Sequence, residues 1–287
     1  MAKPDKKATH SKETSYDFSK MAAMYDKYFR TGFYEQRYPR ENKKTLLTIL
    51  SVLAELNKIK KGPRHILDFG CGDGRYLVPM LNHVDDEFTA YDPSETALNI
   101  LTGRVDIQKN IDRVAVVDGD IEKLSRHVEE KGKVDIILLM FGVLSHVGGY
   151  QKRTQVLKQL SSFLRDENSR VILSVPNRFR RFTRVDDENV STVNNEPGDI
   201  IYKRHYGDEE LTFFYHLYTS DSLISELKEA GLNVYSLHLE SFLPEKWVTN
   251  NYLIGAFDRI ICNFLSVNKG YGILAVAGKN SIQQKQR

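Results

Sequence analysis

Apolar side chains along this chain recur with two different periods, and the switches between them mark out the elements. Short, nearly continuous apolar runs occur at 65–69 (HILDF), 87–91 (EFTAY), 114–117 (VAVV), 134–141 (VDIILLMF) and 171–175 (VILSV). Between them lie stretches of helical spacing at 74–83, 94–103, 121–130 and 150–165; in the last, Val156, Leu160, Phe163 and Leu164 share one face. Strands apolar at almost every position suit burial on both faces. Strands alternating with helices predict a parallel sheet covered on both sides. After Asn177 the rhythm breaks. Residues 178–218 carry aromatics and charges without a helical period, and strand-like stretches at 199–206 and 211–218 around 207–210 predict a hairpin. The alternation then resumes, with a helix at 220–230 ending on Gly231, a strand at 232–240, an amphipathic helix near 249–265 and a strand at 271–277.

Upstream of the first strand, Leu46, Ile49, Leu50, Leu53 and Leu56 recur at helical spacing until Gly62-Pro63 stops the helix. Before them, Tyr16, Phe18, Met21, Met24, Tyr25, Tyr28, Phe29, Phe33, Tyr34 and Tyr38 crowd together. Residues 1–14 are polar and Lys-rich and read as a flexible tail. The expected organisation is therefore one domain over 15–287, with an N-terminal cover at 15–62 and a cap insertion at 178–218.

Composition narrows the classes without naming a function. Hydrophobic residues make up 41% and charged residues 28% of the 287, an ordinary globular balance that excludes wholesale disorder. The 41 basic and 38 acidic side chains leave a net charge of +3, too small to argue for nucleic acid or an anionic membrane without local clustering. No apolar run approaches the ~18 residues of a membrane span. The opening MAKPDKKATHSKETS has no apolar core, which argues against a signal peptide. Two widely separated cysteines, Cys71 and Cys262, argue against a disulfide scaffold or a Cys-rich zinc site, and a cytoplasmic setting is expected.

The chemistry concentrates where the first strand ends, at Asp68-Phe69-Gly70-Cys71-Gly72-Asp73-Gly74. Alternating glycines between a strand and a helix permit unusual backbone angles and close approach of a ligand, at the sheet end where ligands bind in open parallel sheets. The spacing is GxGxG rather than the GxGxxG of a dinucleotide pyrophosphate site. The carboxylate of Asp68 beside the turn favours a cationic part of a ligand.

This motif, followed by Tyr91-Asp92 after the second strand, Gly119-Asp120-Ile121 after the third and VDIILLMFGVLSHV through the fourth, resembles the class I S-adenosylmethionine-dependent methyltransferases, over about residues 16–279. The resemblance implies a doubly wound, mostly parallel seven-stranded α/β sheet of Rossmann-like type, with an N-terminal helical cover and a hairpin insertion after the fifth strand. It also implies S-adenosylmethionine as cofactor. Gly70, Cys71, Gly72 and Gly74 would admit the methionine end and Asp68 its ammonium. Asp92, with Pro93 beside it, would accept the ribose hydroxyls. Asp120, rather than its competitor Asp118, would accept the adenine amino group beside the Ile121 N–H, and Phe141 would approach the methionyl moiety. Tyr16 and Tyr25, with Met21, would close over the cofactor.

A general base is needed only if the acceptor is protonated, and His146 and His216 are the candidates, with His205 and Tyr215 behind them. No metal-ligand spacing appears. The insertion opens Arg178-Phe179-Arg180-Arg181-Phe182-Thr183-Arg184. Arg178, Arg180 and Arg181, with Tyr215, are candidate substrate residues, since such a run suits either RNA phosphates and bases or a small anion. The stretch YHLYTSDSLISELKEAGL is similar to part of the tRNA wobble-uridine methyltransferases. A bulky cap suits a small-molecule acceptor better, with tRNA as the alternative and a non-catalytic cofactor-binding module as a third reading.

Overall fold

The computed structural model describes residues 18–59, 61–183, 189–193, 196–206 and 208–279. Seven strands form the main sheet: β1 (His65–Phe69), β2 (Glu87–Tyr91), β3 (Val114–Val117), β4 (Ile136–Leu139), β5 (Arg170–Pro176), β9 (Leu232–Ser241) and β10 (Gly272–Lys279). The remaining three, β6 (Val190–Thr192), β7 (Asp199–Tyr206) and β8 (Glu209–His216), form a separate sheet in the insertion. The main order is β3-β2-β1-β4-β5-β10-β9. β1 through β5 pair in parallel, and β10 runs antiparallel between β5 and β9. This is the sheet the apolar runs predict, with the order reversing at β1.

Alternation within each strand explains why the runs are apolar throughout. Leu67, Phe69, Ile137, Leu139, Val171 and Leu173 enter the core beneath helices Ile121–Lys131, Tyr150–Phe163 and Ser220–Glu229. Ile66, Phe88, Ile136, Leu138, Ile172 and Leu274 enter the opposite core beneath helices Lys43–Ile59 and Glu95–Gly103. Each such side chain removed from water contributes roughly 1.5–3 kcal/mol. A third, aromatic core joins helix Phe18–Arg30 to β7 and β8, with Tyr28, Tyr34, Tyr202 and Phe213 among its members.

Two boundaries differ from expectation. The helix after β1 begins only at Leu77, because Gly72 and Gly74 hold left-handed φ of 56° and 81°. The stretch near 249–265 is two helices, Glu245–Asn250 and Tyr252–Ile261. Asn251 breaks it by accepting from the Leu253 and Ile254 N–H groups, which caps a fresh N-terminus. β6 is an addition that periodicity did not indicate.

The insertion is clamped at both ends. At its base, Arg178 N–H donates to the Tyr218 carbonyl at 2.8 Å and Tyr218 N–H to that of Pro176 at 3.0 Å. Farther out, Arg153, fully buried, donates to Glu226 at 2.7 Å and to Glu196 of the insertion at 2.7 Å. Among the described residues no helix is long and apolar enough to cross a membrane.

Candidate functional site

The strand ends β1, β2 and β4 converge on one loop cluster. The Tyr91 carbonyl accepts from both Gly70 N–H (2.8 Å) and Cys71 N–H (3.0 Å), bending the chain sharply off β1. Gly70 adopts φ 74°, and a Cβ there would stand 2.7 Å from the Val143 side chain, so no other residue fits. Asp92 closes the same loop: its Oδ2 accepts from Gly72 N–H at 2.8 Å and its Oδ1 from Ser94 N–H at 2.9 Å.

The acids here are held at unusual protonation. Burial, with the nearby charges of Asp92 and Asp73, pushes the Asp68 carboxyl up to about 7. Burial pushes Asp92 up to about 6, against the pull of the two N–H groups it accepts from. Asp68 is 3% exposed and accepts no hydrogen bond from a described residue, and Asp73 has one carboxylate oxygen buried without a donor. Two acids short of donors fit a cationic ligand that brings N–H groups.

On the β4 side, Phe141 takes φ 63°, rare for a large side chain. Ser174 of β5 holds that turn, its Oγ accepting from Phe141 N–H at 2.7 Å and its carbonyl from Gly142 N–H at 3.0 Å. Four residues on, His146 lies 2.9 Å from the Phe214 carbonyl through Nδ1, and 2.8 Å from the Tyr25 hydroxyl through Nε2. A carbonyl can only accept, so Nδ1 carries the proton and Nε2 accepts from Tyr25. Burial lowers the His146 pKa to about 4, so the ring is neutral.

Tyr25 belongs to helix Phe18–Arg30, which covers the loop cluster and is pinned at three points. Besides Tyr25–His146, Asp26 accepts from Ser94 Oγ (3.0 Å) and Thr96 N–H (3.1 Å), and the Met21 sulfur accepts from Phe214 N–H at 3.4 Å. Beneath the helix is a chamber of about 80 Å³ bordered by Tyr25, Phe29, Tyr34, Gly70, Phe141 and His146. Outside it lies a cavity of about 780 Å³ with Tyr91, Gly119, Asp120 and Ile121 on its walls. Ala22 and Pro93 border both.

Of the residues the sequence singles out, Gly70, Gly72, Asp92, Pro93, Phe141, His146 and Tyr25 border the chamber, while Asp68 lies buried in β1 near Asp92 and Asp73 without lining it. Asp120 and Ile121 line the outer cavity, where Asp120 also caps helix Ile121–Lys131 by accepting from Lys123 N–H at 2.9 Å. Asp118 instead pairs with Lys123 on the surface. Cys71 and Gly74 sit within the loop; burial drives the Cys71 thiol well above its usual pKa, so it is a filler rather than a nucleophile. Tyr16 and Arg184 lie outside the described residues.

Other candidates are not brought to the chamber. His216 is buried elsewhere, its Nδ1 2.6 Å from Asp199 and its ring against Tyr218. With Glu196 these two make a tight His–acid cluster, but Arg153 already supplies its counter-charge. Arg178 is exposed, His205 is exposed and bonded to Asn189, and Arg180 stacks on Phe242. Of the described arginines of the run, only Arg181 approaches, with Nη1 3.4 Å from the Tyr215 hydroxyl; the Tyr215 ring lies 4.6 Å from that of His146.

This constellation sits at the carboxyl end of a sheet that reverses its order at β1. The family profile described as "Methyltransferase domain" matches residues 34–237. The chain belongs to the methyltransferase-domain family. With membership come the activity, methyl transfer, and the methyl donor, S-adenosylmethionine. No curated protein matches the chain. Among solved structures, this methyltransferase is similar to the CcbJ methyltransferase from Streptomyces caelestis, with TM-score 0.59 and 15% identity over 84% of this chain and 91% of that one. It is also similar to an S-adenosylmethionine-dependent methyltransferase from Clostridium acetobutylicum (0.58, 16%, 92% and 99%). A third likeness is to the 1,6-didemethyltoxoflavin-N1-methyltransferase from Burkholderia thailandensis (0.56, 17%, 96% and 94%). At such identities the likeness concerns the fold.

Four residues of this methyltransferase's site escape the sequence reading. Asp26 and Ser174 act on loops far away in sequence. Arg75 lies 4.5 Å over the Phe141 ring and 4.8 Å over that of Tyr34, with Nε and Nη2 buried and unpartnered. An arginine directly after GxGxG was the available signal. Tyr38 was visible only as one aromatic among many.

Proposed function

We propose that this methyltransferase, folded as one catalytic domain over 15–287, transfers the methyl group of S-adenosylmethionine to a small-molecule acceptor. The observation that carries the reading is the chamber: about 80 Å³, walled by aromatic rings, beside the glycine loop and beneath a pinned helix. A nucleotide presented by a folded RNA needs a wider approach than this aromatic enclosure offers.

The bound donor supplies an activated methyl on a sulfonium, so alignment and exclusion of water contribute most of the acceleration. Asp68, the acid without a donor, takes the ammonium. Each Asp92 oxygen keeps lone-pair capacity beyond its one backbone bond, enough for the two ribose hydroxyls. Asp120 and the Ile121 N–H meet the adenine in the outer cavity, and Gly70, Gly72 and Phe141 border the methionyl part. His146, neutral and with Nε2 turned to the chamber, takes a proton when the acceptor displaces the Tyr25 hydroxyl. Its low basicity suits proton removal only from a strongly acidic product, such as an N-methylated arylammonium, rather than from an alkylammonium or an alcohol.

The test incubates the protein with isotopically labelled S-adenosylmethionine and, in parallel, a cellular metabolite extract or total tRNA. Label in the small-molecule fraction is expected. Label confined to tRNA overturns the acceptor class; donor binding without any transfer supports the non-catalytic reading instead.

A further inference from the structure

Behind the aromatic wall of the chamber lies another cavity, of about 320 Å³, whose lining includes the cations Arg37, Arg181, Lys203, Arg204 and Lys246. The two spaces are separated by the Tyr38 and Phe141 rings, 4.8 Å apart, with Phe141 facing the chamber and Tyr38 the cavity. Lys203 is matched by Glu210 at 2.8 Å. Arg37, Arg181 and Arg204 form no ion pair with a described carboxylate, although Arg181 lies near enough to Glu240 and Glu245 to pull their raised pKa values down in part. Arg37 donates to the Tyr38 hydroxyl at 3.0 Å. Arg181 packs 4.7 Å over the Tyr271 ring, and Arg204 lies 5.2 Å over that of Tyr202 with its Nε buried and unpartnered. Glu245 is the one acid among the described lining residues, and burial raises its pKa.

Tyr38 registers the imbalance. Burial raises a phenol's pKa, yet Arg204, Arg37 and Arg181 together bring this one down to about 8. Three cations around a neutral hydroxyl, with unused N–H groups, lack an anion.

We propose that this cavity is the anion-binding half of the acceptor site: the acceptor carries a carboxylate or phosphate gripped by Arg181, Arg204 and Tyr38. Its nucleophilic atom then reaches past the Tyr38–Phe141 rings to the chamber. The inference rests on the small-molecule methyltransferase reading and adds the charge of the substrate.

The test titrates benzoate, phenyl phosphate and neutral benzyl alcohol into the full chain by calorimetry at pH 7, with S-adenosylhomocysteine and total tRNA as separate arms. One of the two anions binds with unit stoichiometry, identifying carboxylate or phosphate, and benzyl alcohol does not. Arg204→Gln weakens the anion by roughly 10- to 100-fold, the range for losing a charge-assisted bond, and leaves S-adenosylhomocysteine affinity unchanged. If Arg204→Gln does not fold, Lys246→Gln, on an exposed side chain, weakens the anion instead. Arg178→Gln, outside the cavity, leaves both affinities unchanged. Retained S-adenosylhomocysteine binding with no anion binding, or equal binding of the alcohol, overturns the proposal; so does tRNA that displaces the anion in an Arg204-dependent way. Anion binding without S-adenosylhomocysteine binding leaves the anion site standing and removes the methyltransferase reading beneath it.

Discussion

Replacing Asp68 by Asn separates two roles that a carboxylate normally confounds. Asp68 is 3% exposed, accepts no hydrogen bond from a described residue, and has its pKa raised from 3.8 to about 7. Its charge is therefore a burden on the unliganded fold. The sign is the reverse of the usual one for an acid. Between about pH 4 and 7 the unfolded chain has lost this proton and the folded chain keeps it, so this group's contribution to stability falls as pH rises and levels off above 7. A shift of roughly three units is about 4 kcal/mol at full value. The buried amide of Asn, itself without partners, returns about 1–3 kcal/mol of that. Asp68→Asn should thus stabilise the unliganded protein at pH 8 by about 1–3 kcal/mol and give no gain at pH 4. In melting temperature this is roughly 2–6 °C for a chain of this size. S-adenosylmethionine binding should weaken by about 1.5–3 kcal/mol, the worth of a charge-assisted hydrogen bond. Denaturant titrations at the two pH values, with calorimetry of the donor, read both effects. A variant destabilised equally at pH 4 and 8, or one with unchanged donor affinity, refutes the reasoning.

Donor affinity in the native protein should fall as pH drops through 7 and more steeply below 6, as Asp68 and then Asp92 take up protons; the pair titrates jointly, so calorimetry across pH 5–8 reads apparent values. Gly142→Ala should lose about 1–2 kcal/mol from its φ of 80° alone, and its Cβ would meet the Tyr215 hydroxyl at 2.2 Å, so transfer should suffer more than donor binding in parallel stability and methylation assays. Tyr25→Phe removes the donor to His146 Nε2, which should raise the imidazole pKa from about 4, as followed by NMR, and destabilise the protein by about 1–3 kcal/mol. Arg153→Met should cost about 3–5 kcal/mol in denaturant titrations, because it leaves Glu226 charged and buried.

The main sheet was legible because doubly buried strands announce themselves as continuous apolar runs and each run is short. The residues at strand ends, Asp68, Asp92, Phe141 and His146, were legible for the same reason: topology alone carries them to one edge. What escaped depends on side chains meeting across long separations. Asp26 reaches Ser94 and Thr96, and Ser174 holds the Phe141 turn; nothing local to either residue signals this. The arginine run is only partly carried toward the chamber: Arg178 is exposed in a turn and Arg180 stacks on Phe242, whereas Arg204, isolated on β7, lines the neighbouring cavity with Arg181. Asn251, a polar residue within an apolar period, broke a helix that the period alone would have continued.

The pinned helix has a kinetic consequence. Ala22 borders both the chamber and the outer cavity, so a molecule lying across the two is strapped down by the backbone that Tyr25, Asp26 and Met21 fasten. Where donor lies across both spaces, its exchange should require those ties to break, and its release should then limit turnover. A first methyl transferred quickly, followed by slow cycles, is the rhythm such a strap imposes, and loosening any one tie should quicken the later cycles while leaving the first unchanged.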